Sequence, residues 1–306
     1  MKATVYLPGT CGELVQGLSD GRHFLVSCPL DLYAEVTVEL LPDGGSVQGP
    51  ADAPKAGRAL ALGLAYLGLP GLGARLSIRS PLPRSKGLGS STADVAGALY
   101  ALARAGGRWL RPEEVAGLAL AVEPTNSSLF PHLTLFDHRQ GTLCEDLGPA
   151  PAAAVLVLDC GGEVDTLAYN AVDRRDELLR LSPRAERALA LLRAGLRRRD
   201  LRLLGQAATE SALAHQRILP KPELREVLRL GQALGGAGVC IGHSGTVIGV
   251  IFPVAHHGDR TVAERFQREL PQLALLGWHR LVNGGCSPMP PATSRPAVAA
   301  ALPGVE

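Results

Sequence analysis

A Gly/Ser-rich loop set between a strand pattern and a helix pattern constrains this chain more than any other feature. The run Pro81-Leu82-Pro83-Arg84-Ser85-Lys86-Gly87-Leu88-Gly89-Ser90-Ser91-Thr92-Ala93 follows the alternating stretch Ala74–Ser80 and leads into a helical run from Thr92 to about Arg104. At such a junction the N–H groups of the helix start converge on one point, where the helix dipole favours an anion. Gly87 and Gly89 permit a tight turn and let a phosphate approach the backbone with no Cβ between. Ser90 and Ser91 add hydroxyls suited to phosphate oxygen or magnesium, and Lys86 adds a mobile positive charge. A plain helix start after a Gly/Ser connection has the same local composition. Of the 31 basic residues only Lys2, Lys55, Lys86 and Lys221 are lysines, so a lysine inside this loop is unusual for the chain.

The order of residues is more specific than the composition. It is neither G-x-x-x-x-G-K-[ST] nor G-x-G-x-x-G, which excludes the P-loop and the dinucleotide fingerprint. Pro83 through Ala93 fits P-x-x-x-G-L-G-S-S-x-A at every fixed position and resembles the phosphate loop of the GHMP kinases, the galacto-, homoserine, mevalonate and phosphomevalonate kinases. Pro8-Gly9-Thr10-Cys11-Gly12-Glu13-Leu14-Val15-Gln16-Gly17 resembles the first motif of that family. Gly242-His243-Ser244-Gly245-Thr246-Val247 resembles the third, a glycine turn that closes over the loop. Within the family, P-G-T-C-G-E-L-V-Q-G, E-P-T-N-S with L-T-L-F-D-H, and H-S-G-T-V are most similar to the L-threonine kinases of cobalamin biosynthesis. The resemblance spans about residues 3–285.

The resemblance implies an α+β, two-lobed fold with a ribosomal protein S5 domain 2-like N-terminal lobe and a helix-rich, ferredoxin-like C-terminal lobe. It also implies ATP and Mg2+ as cofactors, with Pro83, Lys86, Gly87, Leu88, Gly89, Ser90, Ser91 and Thr92 around the nucleotide and Lys86 close to the chemistry. Ser91 and Glu123 stand where the family holds its metal. The residues give Glu123 a reason of their own: a carboxylate at the C-terminal end of a helix faces the negative end of the dipole and needs a cation, unless water alone solvates it. Asp137, 14 residues further on, stands near the family's catalytic aspartate. It is read either as a general base for the acceptor hydroxyl or as the cap of the His138–Gly141 turn. Asn126 is the rival position, in a mechanism that uses no base. For the acceptor, Glu13, Gln16, His243, Ser244, Gly245 and Thr246 are the candidates, with Arg22, His132 and Arg139 beside them. The expected partner is a small-molecule acceptor, L-threonine or a similar amino alcohol such as homoserine or serine. A non-catalytic ligand-binding regulator of the same fold is the reading from another class.

At 306 residues the chain is long enough for one large domain or two fused ones. A net charge of +2 gives no reason to expect nucleic acid or membrane binding. Arg197-Arg198-Arg199 has no interleaved aromatic residues and reads as a solvated helix face. The six cysteines are scattered without a C-x-x-C pair or a His at zinc spacing, which points to free thiols in a reducing cytoplasm. No apolar run reaches the ~20 residues of a membrane span. A homodimer is the expectation for assembly.

Strand patterns fall at Ala3–Leu7, His23–Ser27, Leu32–Leu41, Gly141–Leu147, Ala153–Asp159, Thr246–Phe252 and Ala274–Val282. Helix patterns fall at Lys55–Leu67, from Pro112 to Glu123, Thr166–Leu181, Pro183–Leu196, Asp200–Ile218, Pro222–Leu234 and Arg260–Leu270. Pro149-Ala150-Pro151 marks a boundary, dividing the chain into an N-terminal lobe (1–150), a C-terminal lobe (151–286) and a Pro/Ala-rich tail (287–306).

Overall fold

The structure, a computed structural model, describes every residue except 43, 45, 165–168, 170–171 and 292–306. Two long strands, β1 (Lys2–Ser19) and β2 (Arg22–Leu41), form an antiparallel hairpin around Asp20-Gly21, both at positive φ. Sequence patterning breaks this hairpin into three shorter strands because Pro8, Gly9 and Gly12 interrupt the alternation. Three register shifts between Pro8 and Val15 carry β1 through them. Such shifts bend a strand and re-aim its side chains, and here they fall on the first motif.

The N-terminal half continues through β3 (Val47–Gln48), α1 (Pro54–Tyr66), β4 (Gly73–Arg79), α2 (Ser90–Ala105), α3 (Pro112–Leu120), β5 (Thr134–Phe136) and β6 (Cys144–Asp146). The C-terminal half contributes β7 (Ala153–Asp159), α4 (Arg175–Arg198), α5 (Leu201–His215), α6 (Leu224–Ala233), β8 (Gly238–Ile241), β9 (Val247–Pro253), α7 (Arg260–Glu269) and β10 (Ala274–Arg280). One mixed sheet runs through both halves in the order β10-β7-β9-β8-β1-β2-β4-β3, with β5 and β6 attached to β2. The halves meet where β1 pairs with β8 at Glu13 and Ile241, so the first motif lies on the seam. This is the expected α+β architecture.

Helix α2 positions the site. It is alanine-rich, which favours helix formation, and nearly all of it is buried. A Cβ on Gly97 would lie 2.6 Å from Val36 Cγ2, so the helix sits close against β2. Its small side chains let it sink into the sheet and fix where its N-terminus points. Helix α3 starts as the sequence indicates, with Pro112 in the first turn and the Glu114 carboxylate accepting from the Arg111 N–H at 2.9 Å.

Three expectations need correction. The helices expected at 166–181 and 183–196 are, among the described residues, one helix with Pro183 inside it, and residues 166–168 and 170–171 lie outside the described set. An internal proline costs about 3 kcal/mol or more. The apolar face Leu181, Ala185, Ala188, Leu189 and Leu192 offsets that by burial, with Ala185 packed against Gly17 of β1. Strand β8 escapes patterning because it is four residues long. The expected tail does not begin at Ser287, whose N–H and C=O both bond Tyr6, at 2.9 and 2.8 Å. Among the described residues no helix is long and apolar enough to cross a membrane.

Candidate active site

A cavity of about 360 Å³ opens between the Gly/Ser loop, β1, the start of α1 and the segment after α3. The loop forming its floor is tied down by its own backbone. Leu88 C=O and Gly87 C=O accept from Thr10 N–H (2.9 Å) and Gly12 N–H (3.1 Å) of the first motif. Lys86 C=O accepts from Thr246 N–H (2.9 Å) and Val247 N–H (3.2 Å) of the third. Gly87 and Gly245 pack backbone to backbone: a Cβ on Gly245 would lie 2.3 Å from Gly87 Cα. The smallness of Gly87 therefore serves the contact between motifs. Gly89, at φ 71°, opens α2, and a Cβ there would lie 2.9 Å from Thr10 Oγ1 and 3.1 Å from Asn126 Nδ2.

Gly87, Leu88, Gly89, Ser90, Ser91 and Thr92 line the cavity, with the N-terminus of α2 directed into it. Pro83 is exposed and off the wall. Lys86 also departs from its expected place. Its Nζ donates to Asp159 Oδ2 (2.9 Å) and to Gly162 C=O (2.6 Å), away from the cavity wall. The Thr246 hydroxyl donates to Asp159 as well, so neither Lys86 nor Thr246 faces a ligand. Burial pushes the Asp159 carboxyl up, but the Thr246 hydroxyl and Lys86 hold it below its ordinary value. This ionised hub locks the loop to the C-terminal half. Among the described residues the cations that do line the cavity are Lys55 and Arg84, the latter paired with Asp94 (2.9 Å) and Asp52 (3.2 Å) and passed over in the sequence.

The structure brings Ser91 and Glu123 together: the Ser91 hydroxyl donates to Glu123 Oε1 on the cavity wall. Glu123 follows α3, its N–H still bonded to Ala119 C=O at 3.0 Å. The cation its position demands is Lys55, whose Nζ lies 2.5 Å from Glu123 Oε2. Sequence reading treated Lys55 only as a helix opener, and the scarcity of lysine was the available signal. A serine hydroxyl and a carboxylate are hard oxygen donors, the set Mg2+ takes alongside substrate phosphates and water. Thr92 Oγ1 accepts from Thr125 Oγ1 (3.1 Å) and Asn126 N–H (3.2 Å), holding the start of α2 to the segment after Glu123.

Asp137 is placed otherwise than a general base requires. Its Oδ1 accepts from Arg139 N–H (3.1 Å) and Gln140 N–H (3.2 Å), and its Oδ2 from Thr142 N–H (3.2 Å) and the Thr142 hydroxyl (2.6 Å). Burial acts to raise the carboxyl, but these four donors hold it below its ordinary value, and it does not line the cavity. It caps a turn. Asn126 does line the cavity, with Oδ1 engaged by Ser128 N–H (3.0 Å) and the Ser128 hydroxyl (2.7 Å). That leaves Nδ2, a donor, on the side of Gly89.

Of the acceptor candidates, Glu13, His243 and Ser244 line the cavity, whereas Gly245 is consumed by its contact with Gly87. Glu13 is 5% exposed, and burial pushes its carboxyl up to about 8 despite the nearby Ser27 hydroxyl. Its Oε2 has no hydrogen-bond partner among the described residues. Gln16 Oε1 accepts from His243 Nδ1 at 2.5 Å and lies in a smaller adjoining chamber. His132 is paired with Asp146 at 2.8 Å and Arg22 sits exposed at the hairpin turn, both off the wall.

Comparison with known proteins bears on the family and the fold. The GHMP kinases N terminal domain matches residues 55–130 and the GHMP kinases C terminal domain residues 188–274. The chain is 32% identical to the L-threonine kinase of Salmonella typhimurium over 291 residues, 92% of this chain and 94% of that protein. It is 32% identical to the L-threonine kinase of Citrobacter freundii over 292 residues, 92% of this chain and 98% of that protein. Among solved structures, homoserine kinase from Cytophaga hutchinsonii superposes with a TM-score of 0.70 at 16% identity, covering 94% of this chain and 96% of that one, which speaks to the fold alone. Fold, motifs and relatives together place the chain in the GHMP kinase family.

Proposed function

We propose that this chain is an ATP-dependent kinase that phosphorylates the side-chain hydroxyl of L-threonine to O-phospho-L-threonine, a step toward the aminopropanol linker of cobalamin. The observation that carries the reading is one cavity with two ends. An anion-attracting helix N-terminus with Ser91 and Glu123 forms one end, and the buried Glu13 carboxyl, whose Oε2 has no partner among the described residues, belongs to the same wall. Burial pushes that carboxyl up to about 8, and an α-ammonium group beside it is the cation that would favour its ionised form.

In this reading the amides at the start of α2 and Arg84 hold the triphosphate. Ser91 and Glu123 would hold Mg2+, with Lys55 keeping Glu123 oriented. When bound, the metal neutralises charge on the phosphates. Glu13 and the residues around His243 orient the acceptor so that its hydroxyl oxygen attacks the γ-phosphorus as the bond to the β,γ-bridging oxygen breaks and ADP leaves. Asn126 Nδ2 donates to an oxygen of the transferred group. With Asp137 committed to its turn, the hydroxyl proton leaves through water or the transferred phosphoryl group, and catalysis rests on positioning and electrostatics, which phosphoryl transfer permits.

ADP release measured with L-threonine, L-serine and L-homoserine tests the proposal. The highest kcat/KM is expected for L-threonine. Absence of ADP release with every hydroxy amino acid would overturn it and leave a binding role, and a clear preference for homoserine would reassign the substrate.

A further inference from the structure

Behind His138 and His243 lies a second chamber of about 30 Å³, which shares those two side chains with the main cavity. Roughly 30 Å³ is the volume one water takes in the liquid, so the chamber admits a small polar group and no whole metabolite. Among the described residues its polar wall consists of Gln16, Tyr169, four histidines (His23, His138, His215 and His243) and two arginines (Arg139 and Arg174), with no carboxylate.

These polar atoms are buried and several have nothing to bond. His138 Nδ1 and Nε2, His243 Nε2, Gln16 Nε2 and Arg139 Nε have no partner among the described residues. The His138 and His243 rings lie 4.9 Å apart, edge to face. Burial depresses the His138 and His215 imidazoles to about 3 and lowers His243 as well, so the rings are neutral with one N–H each; His243 spends its own on Gln16 Oε1 and His215 on His243 C=O at 3.1 Å, which leaves His138 with a free donor among the described residues. Among the described residues no cluster of His, Cys, Asp or Glu fits a metal ion. Arg174 is already committed: its guanidinium lies 4.4 Å over the Tyr169 ring and donates to Tyr169 C=O at 2.5 Å. Arg139 supplies the uncommitted charge. Donors gathered around a guanidinium in a space this small suit a planar monoanion reached from the main cavity.

We propose that this chamber is the carboxylate pocket of the acceptor, with Arg139, His138 and the Gln16 amide as its donors, and that it restricts the enzyme to α-amino acids bearing a free carboxylate. The proposal rests on the reading of the main cavity as the site of an amino-acid kinase. It also explains why His243 and Gln16, on the third and first motifs, bond each other: His243 Nδ1 holds the Gln16 carbonyl and leaves Gln16 Nε2, a donor, without a partner among the described residues.

The test compares L-threonine with L-threonine amide, which keeps the hydroxyl and the ammonium but loses the negative charge. Calorimetry on the wild-type chain reads binding whether or not turnover occurs. L-threonine is expected to bind about 10²-fold tighter than the amide, the scale on which a site with buried donors rejects an analogue that leaves them unpaired. In Arg139→Ala that preference is expected to collapse to a few-fold, with KM for ATP unchanged, and Arg139→Lys to recover part of it. Equal binding of acid and amide by the wild type, or a preference undiminished in Arg139→Ala, would overturn the pocket. Should Arg139→Ala fail to fold, the wild-type comparison still decides. Selective binding of L-threonine without ADP release would overturn the kinase reading and keep the pocket, so the two failures are distinct.

Discussion

Replacing Gly245 with alanine tests whether the contact between two glycine motifs sets the phosphate loop. The added Cβ would lie 2.3 Å from Gly87 Cα, 2.3 Å from Lys86 O and 2.4 Å from Gly87 N. All three atoms are main chain, so no rotamer change relieves the contact. Measured against an ordinary 3.4 Å approach the shortfall is about 1.1 Å. Lys86 C=O also accepts from Thr246 N–H and Val247 N–H, so the loop can retreat only by stretching those two bonds. Gly245 lies outside the left-handed φ region, which leaves displacement as the whole effect. A shift of about 1 Å in a group that positions substrate costs on the order of 10²-fold in rate. Overpacking of this kind costs about 1–3 kcal/mol of stability. In Gly245→Ala, kcat/KM for ATP is therefore expected to fall about 10²-fold, with Tm lower by several degrees. Gly117→Ala is the control: Gly117 is exposed within α3 with nothing near its added Cβ, and Tm should rise slightly at unchanged kinetics. Wild-type kcat/KM for ATP in Gly245→Ala would refute the claim that this contact holds the loop.

Three other outcomes follow from the same geometry. Ser91→Ala and Glu123→Gln should each lower kcat by about 10²–10³, with Glu123→Gln raising the magnesium requirement in a titration; full activity of Glu123→Gln at limiting magnesium would remove it from the metal site. Asp137→Asn should lose about 1 kcal/mol or more of stability while kcat stays within a few-fold, because turn donors are left facing an amide; a loss of about 10²–10⁴ in kcat at unchanged Tm would restore the aspartate as base. The folded-state carboxyl of Glu13 sits at about 8 against a reference of 4.5, so between those pH values the unfolded chain has released a proton that the folded chain retains, and stability falls as pH rises. Glu13→Gln should therefore raise Tm by an amount that grows from pH 5 to pH 8 and then levels, while L-threonine affinity drops; a gain independent of pH would show that Glu13 is not buried in this way.

The features legible in the sequence are those written in short range. The strand–loop–helix around Gly89 could be read because its glycines, serines and alanines each have a local reason to be there. Pro112 and Asp200 likewise marked helix starts through their own backbone chemistry. What the sequence hid depends on partners distant along the chain. Lys86 is captured by Asp159 on β7, 73 positions away, and no local pattern tells which anion a flexible lysine will meet. Asp137 offered a base and a turn cap with the same residues, and the hydrogen bonds to Thr142 decide for the cap. Lys55 joins Glu123 only because α1 packs beside α2 and α3. The four histidines of the chamber come from β2, the turn after β5, α5 and the third motif, four segments whose convergence exists only in the folded chain.

The proposed reaction is transfer of the γ-phosphoryl group of ATP to the hydroxyl of L-threonine in this cavity. Phosphorus NMR of a reaction holding the chain, ATP, magnesium and L-threonine reads the product directly. A phosphomonoester resonance of O-phospho-L-threonine is expected to grow in step with ADP, absent without the acceptor and weaker with L-serine or L-homoserine in its place. ADP accompanied only by inorganic phosphate, or a phosphomonoester formed faster from L-homoserine than from L-threonine, would contradict it.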